Sequence, residues 1–315
     1  MDALPGWAIP SAQDDAVQEE LWLLGQPPLH QYLSYMQDTV IDGRSLPRSA
    51  LVDEWRRAND YYYELETGEA GIADRIEILD LPSSLEPLAD ALREDPCYRR
   101  AYDVLPTRLA MVELQHLVVA QPHVNLTHAN RLREHLSPKP SNDEVFRFCH
   151  PIDRPGPNVG VRRIGDTRFS FTSESSDLRF REAILLRADQ IAGGVRFGTS
   201  AMVVGLVVGF SSNFLTAIQS DNRLVLHNGH HRAFALLAHG VTHAPCIIQT
   251  VTRRDELNLI AGSDVQEEPA FYFKSARPPL LKDFLDPRIR KVHRIPCPLQ
   301  MIDVRFEVQD HQVAD

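Results

Sequence analysis

Residues 223–251 read RLVLHNGHHRAFALLAHGVTHAPCIIQTV, and this stretch decides the fold. Residues 223–227 form an apolar run typical of a strand, and a similar run over residues 213–219 precedes it across a Ser-Asp-Asn turn. Residues 233–239 place apolar side chains at helical spacing, and Gly240 is typical of a helix stop. The final six residues return to a strand pattern. The stretch therefore predicts a strand hairpin, a short helix and a closing strand.

The junction between this strand and this helix carries five residues suited to an anion. Asn228 and Gly229 end the strand, so the first turn of the helix leaves backbone N–H groups without partners, and the helix dipole favours negative charge there. His230 and His231 add imidazoles that donate, accept or carry a proton, and Arg232 can grip a phosphate with two parallel N–H bonds. Helix capping and a tight Asn-Gly turn are the structural alternatives. The combination favours a phosphate site formed by these five residues.

The same residues resemble the signature of the ParB/sulfiredoxin-like superfamily. In that superfamily a strand leads into a Gly-x-x-Arg helix start, followed by a short helix, a glycine and a proline that opens a closing strand. Gly229, Arg232, Gly240 and Pro245 stand at the corresponding positions, and the resemblance covers about residues 181–251. It implies a mixed α/β domain that binds ATP, ADP or CTP with the phosphates at the helix start.

Residues inside this box separate the branches of the superfamily. Sulfiredoxins carry a nucleophilic cysteine where this chain has His230, so the resemblance does not imply sulfur chemistry. Chromosome-partitioning ParB proteins carry Gly-Glu-Arg-Arg and a following helix-turn-helix, whereas residues 252–273 are acidic here. The His-His-Arg form is closest to the free-serine kinase branch, which reads Asp-Gly-His-His-Arg, with Asn228 standing in place of the aspartate. The resemblance therefore implies a nucleotide-dependent enzyme.

A phosphotransfer site also needs Mg²⁺, held by carboxylates or by the phosphates, and a group that positions or deprotonates the acceptor. The nearby carboxylates are Asp189, Asp221 and Glu182, of which Asp221 is typical of the hairpin turn. Asp189 follows a strand-like AILLR run, where ParB-like domains turn towards the ligand, and Arg196 lies shortly after it. We therefore expect His230, His231 and Asp189 as catalytic candidates, with Arg196 as a further phosphate contact. A metal site formed by His227, His230 and His231 is the alternative, but strand alternation turns His227 in another direction. Phosphate is favoured, and no protein metal site is predicted.

Composition excludes several function classes. The chain has 315 residues, of which 43% are hydrophobic and 24% charged, as in soluble globular proteins. Its net charge of −10 argues against broad nucleic-acid binding, which needs basic side chains to displace counterions. The longest apolar run, residues 201–210, is about half the length that a bilayer crossing requires and is typical of a buried strand or of a strand with a bend. The four cysteines form no C-x-x-C pair, and without a signal peptide they indicate a reduced cytoplasmic setting.

Sequence patterns divide the chain into three zones. Residues 1–136 are mainly helical, and residues 137–160 are a Pro- and Gly-rich connector. Residues 161–315 are rich in strand patterns and contain the predicted nucleotide-binding domain with a C-terminal extension. The apolar centre of the connector, residues 145–149, is typical of a strand or a docking segment. The connector is therefore the predicted domain boundary.

Local patterns predict individual elements within these zones. Helical periodicity predicts four helices in the first zone, over residues 51–71, 83–95, 107–121 and 127–136. Thr127 is the expected cap of the last of them. Polar and apolar alternation predicts a hairpin of residues 167–172 with residues 177–182, and an edge strand over residues 301–308. A short helix is predicted over residues 280–285.

These patterns together predict an α+β protein whose C-terminal half holds a ParB/sulfiredoxin-like nucleotide-binding domain. The leading functional hypothesis is an enzyme that uses ATP or another nucleotide with Mg²⁺ to phosphorylate a small molecule, or that hydrolyses the nucleotide. The second hypothesis is a non-enzymatic, nucleotide-gated switch that binds a protein or DNA partner, and a ParB-like nuclease is the third. The expected ligands are a nucleotide and a small-molecule substrate. Neither a membrane nor nucleic acid is favoured as a partner, and a homodimer is left open.

Overall fold

The computed structural model describes residues 17–26, 28–152, 157–175, 177–187, 203–210, 213–297 and 299–309. The protein is α+β, and its chain divides into two compact units. The larger unit comprises Val17–Arg154 and Ser212–Pro296, and the smaller comprises Met1–Ala16, Pro155–Ser211 and Cys297–Asp315. No helix in the described ranges combines the length and the apolar character needed to cross a bilayer.

The larger unit contains α-helices and two sheets. Its helices are α1 (Leu29–Asp38), α2 (Arg48–Glu69), α3 (Glu86–Glu94), α4 (Pro96–Ala101), α5 (Leu126–Arg133), α6 (Asn142–Cys149), α7 (His230–Ala238), α8 (Arg254–Ile260), α9 (Ser263–Glu267) and α10 (Pro269–Lys274). Its strands are β1 (Val17–Leu23), β2 (Ile78–Leu79), β3 (Thr107–Glu113), β4 (Val118–Val119), β5 (His123–Asn125), β10 (Thr216–Ser220), β11 (Arg223–Asn228), β12 (His243–Thr250) and β13 (Arg290–Pro296). The strands of the smaller unit are β6 (Gly160–Arg163), β7 (Arg168–Ser173), β8 (Arg179–Leu186), β9 (Val203–Gly209) and β14 (Gln300–Arg305). Short 3-10 helices include Ser83–Leu85 and Leu281–Leu285.

A mixed sheet in the order β2-β3-β12-β10-β11-β4 forms the centre of the larger unit. β10 and β11 are the hairpin that the sequence predicts, and Asp221 has a left-handed backbone conformation at its turn (φ 52°). β12 lies parallel to β10 and antiparallel to β3, and most of its residues are buried. A strand covered on both faces reads as a continuous apolar run. The strand, helix and closing strand predicted within residues 223–251 are therefore confirmed, although α7 begins already at His230.

The second sheet of the larger unit has the order β13-β1-β5, with β1 at its centre. Leu21 and Leu23 of β1 are buried in the main core. Because side chains alternate along a strand, Glu20 and Trp22 point to the opposite face. Glu20 lies opposite Asn125 of β5 and also opposite a residue of β13. The sheet thus holds a carboxylate at the middle of its central strand.

The main hydrophobic core surrounds α7. Ala233, Phe234, Ala235 and Leu236 are buried there together with apolar residues from β1, β5, β11 and β12. Phe234 packs edge-on against Phe284, with 6.0 Å between the ring centroids. A helix buried along this much of its surface has little freedom to shift or rotate. Packing therefore fixes the position of its first turn.

The smaller unit interrupts the larger one in sequence. The first segment of the larger unit includes α6, and its second segment includes β10. The backbone N–H of Leu215, just before β10, donates to the carbonyl oxygen of Cys149 at the end of α6, with 3.0 Å between nitrogen and oxygen. A hydrogen bond therefore joins the two segments close to the point of interruption.

Strand pairing in the smaller unit differs from the predicted hairpin. β7 pairs with β6 and with β14, whereas β8 pairs with β9. The predicted hairpin of residues 167–172 with 177–182 is therefore wrong, because each segment pairs with other strands of the chain. β14 lies at a sheet edge, as predicted. β9 is a strand, as predicted, but it is not a buried one, since Val204 remains 62% exposed.

Three of the four predicted N-terminal helices are confirmed, as α2, α3 and α5. The helix predicted over residues 107–121 is wrong, because residues 107–113 form β3 and pair with β12. The cap predicted for α5 is also wrong: Asn125, not Thr127, accepts a hydrogen bond from the N–H of His128, at 2.8 Å. The predicted short helix over residues 280–285 is present as a 3-10 helix.

The connector contains a helix in place of the predicted strand or docking segment. Residues 145–149 belong to α6, which is capped by the Ser141 hydroxyl and carries Asp143 and Glu144 in its first turn. A serine cap with acidic residues behind it stabilises a helix start. Val145 and Phe148 then pack into the main core.

The compact units follow a different division from the three predicted zones. Among the described residues of the predicted helical region 1–136, β3 pairs with β12 and β4 pairs with β11, so this part shares a sheet with β10, β11 and β12. The residues covered by the family resemblance, 181–251, are divided: β8 and β9 belong to the smaller unit and β10 to β12 to the larger. One change of unit falls near residue 154, within the predicted connector of residues 137–160.

Candidate functional site

Gly229 joins β11 to α7 and can be replaced by no other residue without strain. Its φ is +86°, in the left-handed region that favours glycine. A Cβ at this position would lie 2.9 Å from Cδ1 and 3.1 Å from Cα of Leu215. The Asn228 side chain turns back and accepts a hydrogen bond from the Gly229 N–H at 2.8 Å. Backbone geometry and packing thus both require the glycine of the Asn-Gly-His-His-Arg sequence.

We expect Gly229→Ala to lower the free energy of unfolding by about 2–4 kcal/mol, through the left-handed backbone and the collision with Leu215. Gly240→Ala at the other end of α7 is the matched control. Its φ is +90°, but nothing lies within 4 Å of the new Cβ, so it should lose only about 1–2 kcal/mol. Urea unfolding of both variants measures the difference. Equal losses would contradict the role given to Leu215.

The first turn of α7 has no side-chain cap in the described chain. The residue at the cap position is Gly229, which has no side chain to accept a hydrogen bond from the turn. α7 spans nine residues, and its first N–H groups point out of the helix end together with the positive end of the helix dipole. This end of the helix is therefore suited to an anionic ligand.

His230 is the first residue of α7, and its Nε2 atom is buried without a hydrogen-bond partner among the described residues. Burial lowers the pKa of His230 to about 3, and the nearby His227 and His123 lower it further. The imidazole is consequently neutral near neutral pH. It can donate or accept one hydrogen bond at Nε2, but it carries no positive charge there.

His231 is held by β5. Its Nε2 accepts a hydrogen bond from the backbone N–H of Asn125 at 3.0 Å, so the proton of the neutral ring lies on Nδ1. The ring packs edge-on against His128 with 5.2 Å between centroids. Burial lowers the pKa of His231 to about 3, with smaller contributions from His128 and other nearby positive charges. Its Nε2 atom is therefore already used within the fold.

Arg232 is buried, with 8% of its surface exposed. Its Nη1 donates to the carbonyl oxygen of Asn213 and, at 2.7 Å, to the Oδ1 atom of the same residue. Asn213 adopts a left-handed backbone (φ 51°), which turns both oxygens towards the guanidinium. The charge of Arg232 adds to the effect of burial in lowering the pKa of His128 and His150. The structure thus places Arg232 beneath the first turn of α7, in contact with the segment that leads into β10.

The structure brings together only part of the predicted site. Asn228, Gly229 and the His-His-Arg residues share the β11–α7 junction. The predicted carboxylate Asp189 and the predicted phosphate contact Arg196 lie outside the described residues. His227 lies at the exposed end of β11. In the ranges that the structure describes, no group of three or more His, Cys, Asp or Glu residues could hold a metal ion.

A second polar cluster, which the sequence reasoning missed, lies beside this junction. Glu20 is 7% exposed, and its Oε1 atom lies 2.8 Å from Nδ1 of His123 on β5. Its Oε2 atom accepts a hydrogen bond from the Tyr35 hydroxyl at 2.6 Å. The His123 ring stacks on Trp22 with 5.3 Å between centroids, and Trp22 stacks on Tyr35 at 4.1 Å. Glu20, Trp22, Tyr35 and His123 are called the Glu20 cluster below.

The Glu20 carboxylate is ionised in this cluster. Burial alone would raise its pKa, but the contact with His123, the hydrogen bond from Tyr35 and the charge of His293 lower it below the ordinary value. The His123 side chain is 38% exposed, so the imidazole is the part of the cluster that solvent reaches. An ionised carboxylate paired with a partly exposed imidazole is an arrangement that can move protons.

β5 connects His123 to the start of α7. Asn125, two residues further along the same strand, donates its N–H to His231. The charge of His123 also contributes to lowering the pKa of His230 and His231. The sequence did not predict that His123 lies near α7, because the helix predicted up to residue 121 left His123 in a loop. Two sequence features indicated strands here: the β-branched pair Val118-Val119 of β4, and Pro122, which is disfavoured inside a helix.

No protein-family model matches the chain, and no curated protein and no solved structure matches it either.

Proposed function

We propose that this protein binds the phosphates of a nucleotide at the first turn of α7. The observation that carries the proposal is the uncapped helix start behind the left-handed Gly229, with the Nε2 atom of His230 buried beside it and unpartnered. Backbone N–H groups and a neutral imidazole provide hydrogen-bond donors to phosphate oxygens, and the helix dipole favours their charge. ATP with Mg²⁺ is the first nucleotide to test, followed by ADP and CTP.

Arg232 would act as the phosphate clamp in this proposal. Its guanidinium is bound to Asn213 in the structure, so contact with a phosphate requires one of those hydrogen bonds to be exchanged. A charge-assisted bond to phosphate is stronger than a bond to a neutral amide, which favours the exchange. Asp189 and Arg196 keep their proposed roles as a carboxylate near the metal and as a further phosphate contact.

The proposed reaction is phosphoryl transfer to a small molecule, or hydrolysis of the nucleotide. The order of strand, Gly-His-His-Arg helix and closing strand supports it, because this order resembles the free-serine kinase branch of the ParB/sulfiredoxin-like superfamily. A nucleotide-gated switch is the second candidate. It is favoured by the contacts of Arg232 with Asn213 and of His231 with Asn125, since a ligand that displaces them would alter two neighbouring segments.

Arg232→Ala is expected to weaken binding of MgATP roughly 10- to 100-fold, because one charge-assisted hydrogen bond to phosphate is lost. Titration calorimetry with MgATP, MgADP and MgCTP measures the dissociation constants, and released or transferred phosphate measures turnover. Arg44→Ala removes an exposed arginine whose side chain is 79% exposed, and it should leave binding unchanged. Arg232→Lys, with circular dichroism to confirm folding, separates loss of the clamp from loss of structure.

The outcomes separate the proposals. Turnover that depends on Arg232 supports an enzyme, whereas saturable binding without turnover supports the switch. Failure of all three nucleotides to bind the wild-type protein would refute both. A gel shift with plasmid and single-stranded DNA across a salt series tests the nuclease hypothesis at its binding step.

A further inference from the structure

We propose that His123, oriented by Glu20, is the base that removes the proton from the phosphate acceptor. This inference rests on the proposed function and adds a catalytic residue to it. The pair lies 2.8 Å apart between Glu20 Oε1 and His123 Nδ1, on two neighbouring strands of one sheet. It replaces His230 and His231 in the role of proton carrier that the sequence suggested for them.

The two histidines of the helix start are poorly placed for proton transfer. His231 Nε2 already accepts a backbone hydrogen bond, and the pKa of both rings is lowered to about 3, so both are neutral near neutral pH. A base that transfers protons near neutral pH must be able to hold the proton after taking it. A ring whose pKa is lowered to about 3 binds that proton too weakly. His123 has an ionised carboxylate beside it and is partly exposed.

The Glu20 cluster favours one tautomer of His123 and limits its orientation. The Glu20 carboxylate oxygen lies 2.8 Å from Nδ1 without hydrogen-bond geometry, and its negative charge favours the ring proton on Nδ1, which leaves the lone pair on Nε2. Stacking on Trp22, with an angle of 6° between the rings, prevents the imidazole from tilting. The Tyr35 hydroxyl occupies the second oxygen of Glu20, so the carboxylate cannot rotate freely. These contacts leave Nε2 as the reactive atom.

The position of His123 relates it to the proposed phosphate site. His123 and Asn125 lie on β5 with one residue between them, and Asn125 donates to His231 in the first turn of α7. An acceptor molecule that lies between His123 and a phosphate at the helix start would have its hydroxyl group facing both. His123 neither caps a helix nor lies wholly in the core, since its imidazole is partly exposed to solvent.

The proposed step balances as follows. The acceptor hydroxyl gives its proton to Nε2 of His123, and its oxygen forms a bond to the γ-phosphorus of a nucleoside triphosphate. The bond between that phosphorus and the β–γ bridging oxygen breaks, and its electron pair leaves with the nucleoside diphosphate. The imidazolium is stabilised by the Glu20 carboxylate until the proton passes to solvent.

His123→Ala tests this role, with MgATP as donor, water as acceptor and MgADP as the binding probe. We expect the MgADP dissociation constant to stay within about twofold of wild type, while kcat falls by roughly 10²- to 10⁴-fold. Added imidazole should raise the kcat of His123→Ala at least about tenfold, because the position left by the side chain is open to solvent. Glu20→Gln should lower kcat without weakening MgADP binding, since the amide no longer fixes the tautomer.

His116→Ala is the matched control. Its Nδ1 atom lies 2.8 Å from Glu113 Oε2, so it removes a similar His–Glu pair elsewhere in the same unit, and kcat should not change. Turnover of His123→Ala equal to wild type, with MgADP still bound, would overturn the role of His123 and leave the proposed function standing. Loss of turnover without imidazole rescue, in a folded variant, would also overturn it. If His123→Ala does not fold, His123→Gln takes its place in the same comparison, with the same required loss of kcat and retained MgADP binding. A wild-type protein that neither binds MgADP nor turns over MgATP would overturn both proposals together.

Discussion

Between pH 7.5 and pH 5 the protein is expected to lose about 2 kcal/mol of its free energy of unfolding through the buried His150, and a further amount through the partly buried His230 and His231. Burial lowers the pKa of His150, His230 and His231 to about 3 in the folded state, against an ordinary value of 6.5. Below pH 6.5 these histidines are therefore protonated in the unfolded chain but remain neutral in the folded chain. The loss begins near pH 6.5, grows as the pH falls, and stops growing below about 3. At pH 5 it amounts to about 2 kcal/mol for His150.

His150→Phe isolates one of these contributions. The His150 ring lies edge-on between Phe146 and Phe214, with centroid distances of 5.0 and 6.0 Å, so an aromatic ring fits the same place without titrating. The variant should recover about 2 kcal/mol of the loss at pH 5. Urea unfolding at several pH values between 5 and 7.5 measures it. His30→Ala, which replaces an exposed histidine of α1, is the surface control. An unchanged pH dependence in His150→Phe would show that this imidazole is not buried in its neutral form.

Asp283→Ala is expected to lower the free energy of unfolding by about 3–5 kcal/mol, because it leaves a buried guanidinium without its closest counter-charge. The side chains of Arg277 and Asp283 are 1% and 2% exposed, and Arg277 Nη2 donates to Asp283 Oδ1 at 2.7 Å. Asp283 also accepts the N–H of Leu280 at 2.8 Å. Arg277 reaches Glu69 at the end of α2 as well, so the pair links α2 to the 3-10 helix before β13.

Denaturant unfolding at pH 7.5 measures this loss, and two further variants define its cause. Arg277→Met combined with Asp283→Leu removes both charges and should be more stable than Asp283→Ala alone, since no unpaired charge remains. Asp38→Ala breaks an exposed ion pair with Arg44 in the same unit, whose side chains are 72% and 79% exposed, and should cost less than about 1 kcal/mol. A double variant as unstable as the single one would mean that packing, not charge, explains the effect.

Local sequence patterns predicted the elements whose structure depends on local interactions. The junction at Gly229 and the stop at Gly240 are examples, because a left-handed backbone at either end of α7 can be recognised from the glycine itself. α3 and α5 were predicted from the helical periodicity of their apolar residues. The apolar run that begins at Thr107 suits a helix as well as a strand, and its partner β12 lies more than a hundred residues away. Long-range pairing decided that case.

The candidate site shows the same limit. The sequence located the phosphate-binding candidate at Gly229 and the residues that follow it. It could not show that the ring of His231 accepts a backbone N–H from β5, or that Arg232 is bound to Asn213, since both contacts depend on tertiary packing. Glu20 and His123 are 103 residues apart in the chain and meet only because β1 pairs with β5. No local pattern marks such a pair.

The hydrogen bond between Leu215 and Cys149 has a consequence for how this chain could have diversified. The ends of the larger unit that border the inserted residues already touch, so the registers of β10 and β12 do not depend on the length of what lies between those ends. Related chains can therefore lengthen, shorten or exchange the inserted residues at little energetic cost to the β11–α7 junction. Variation among relatives should concentrate in the insert, while the spacing from Leu215 to Arg232 stays constant.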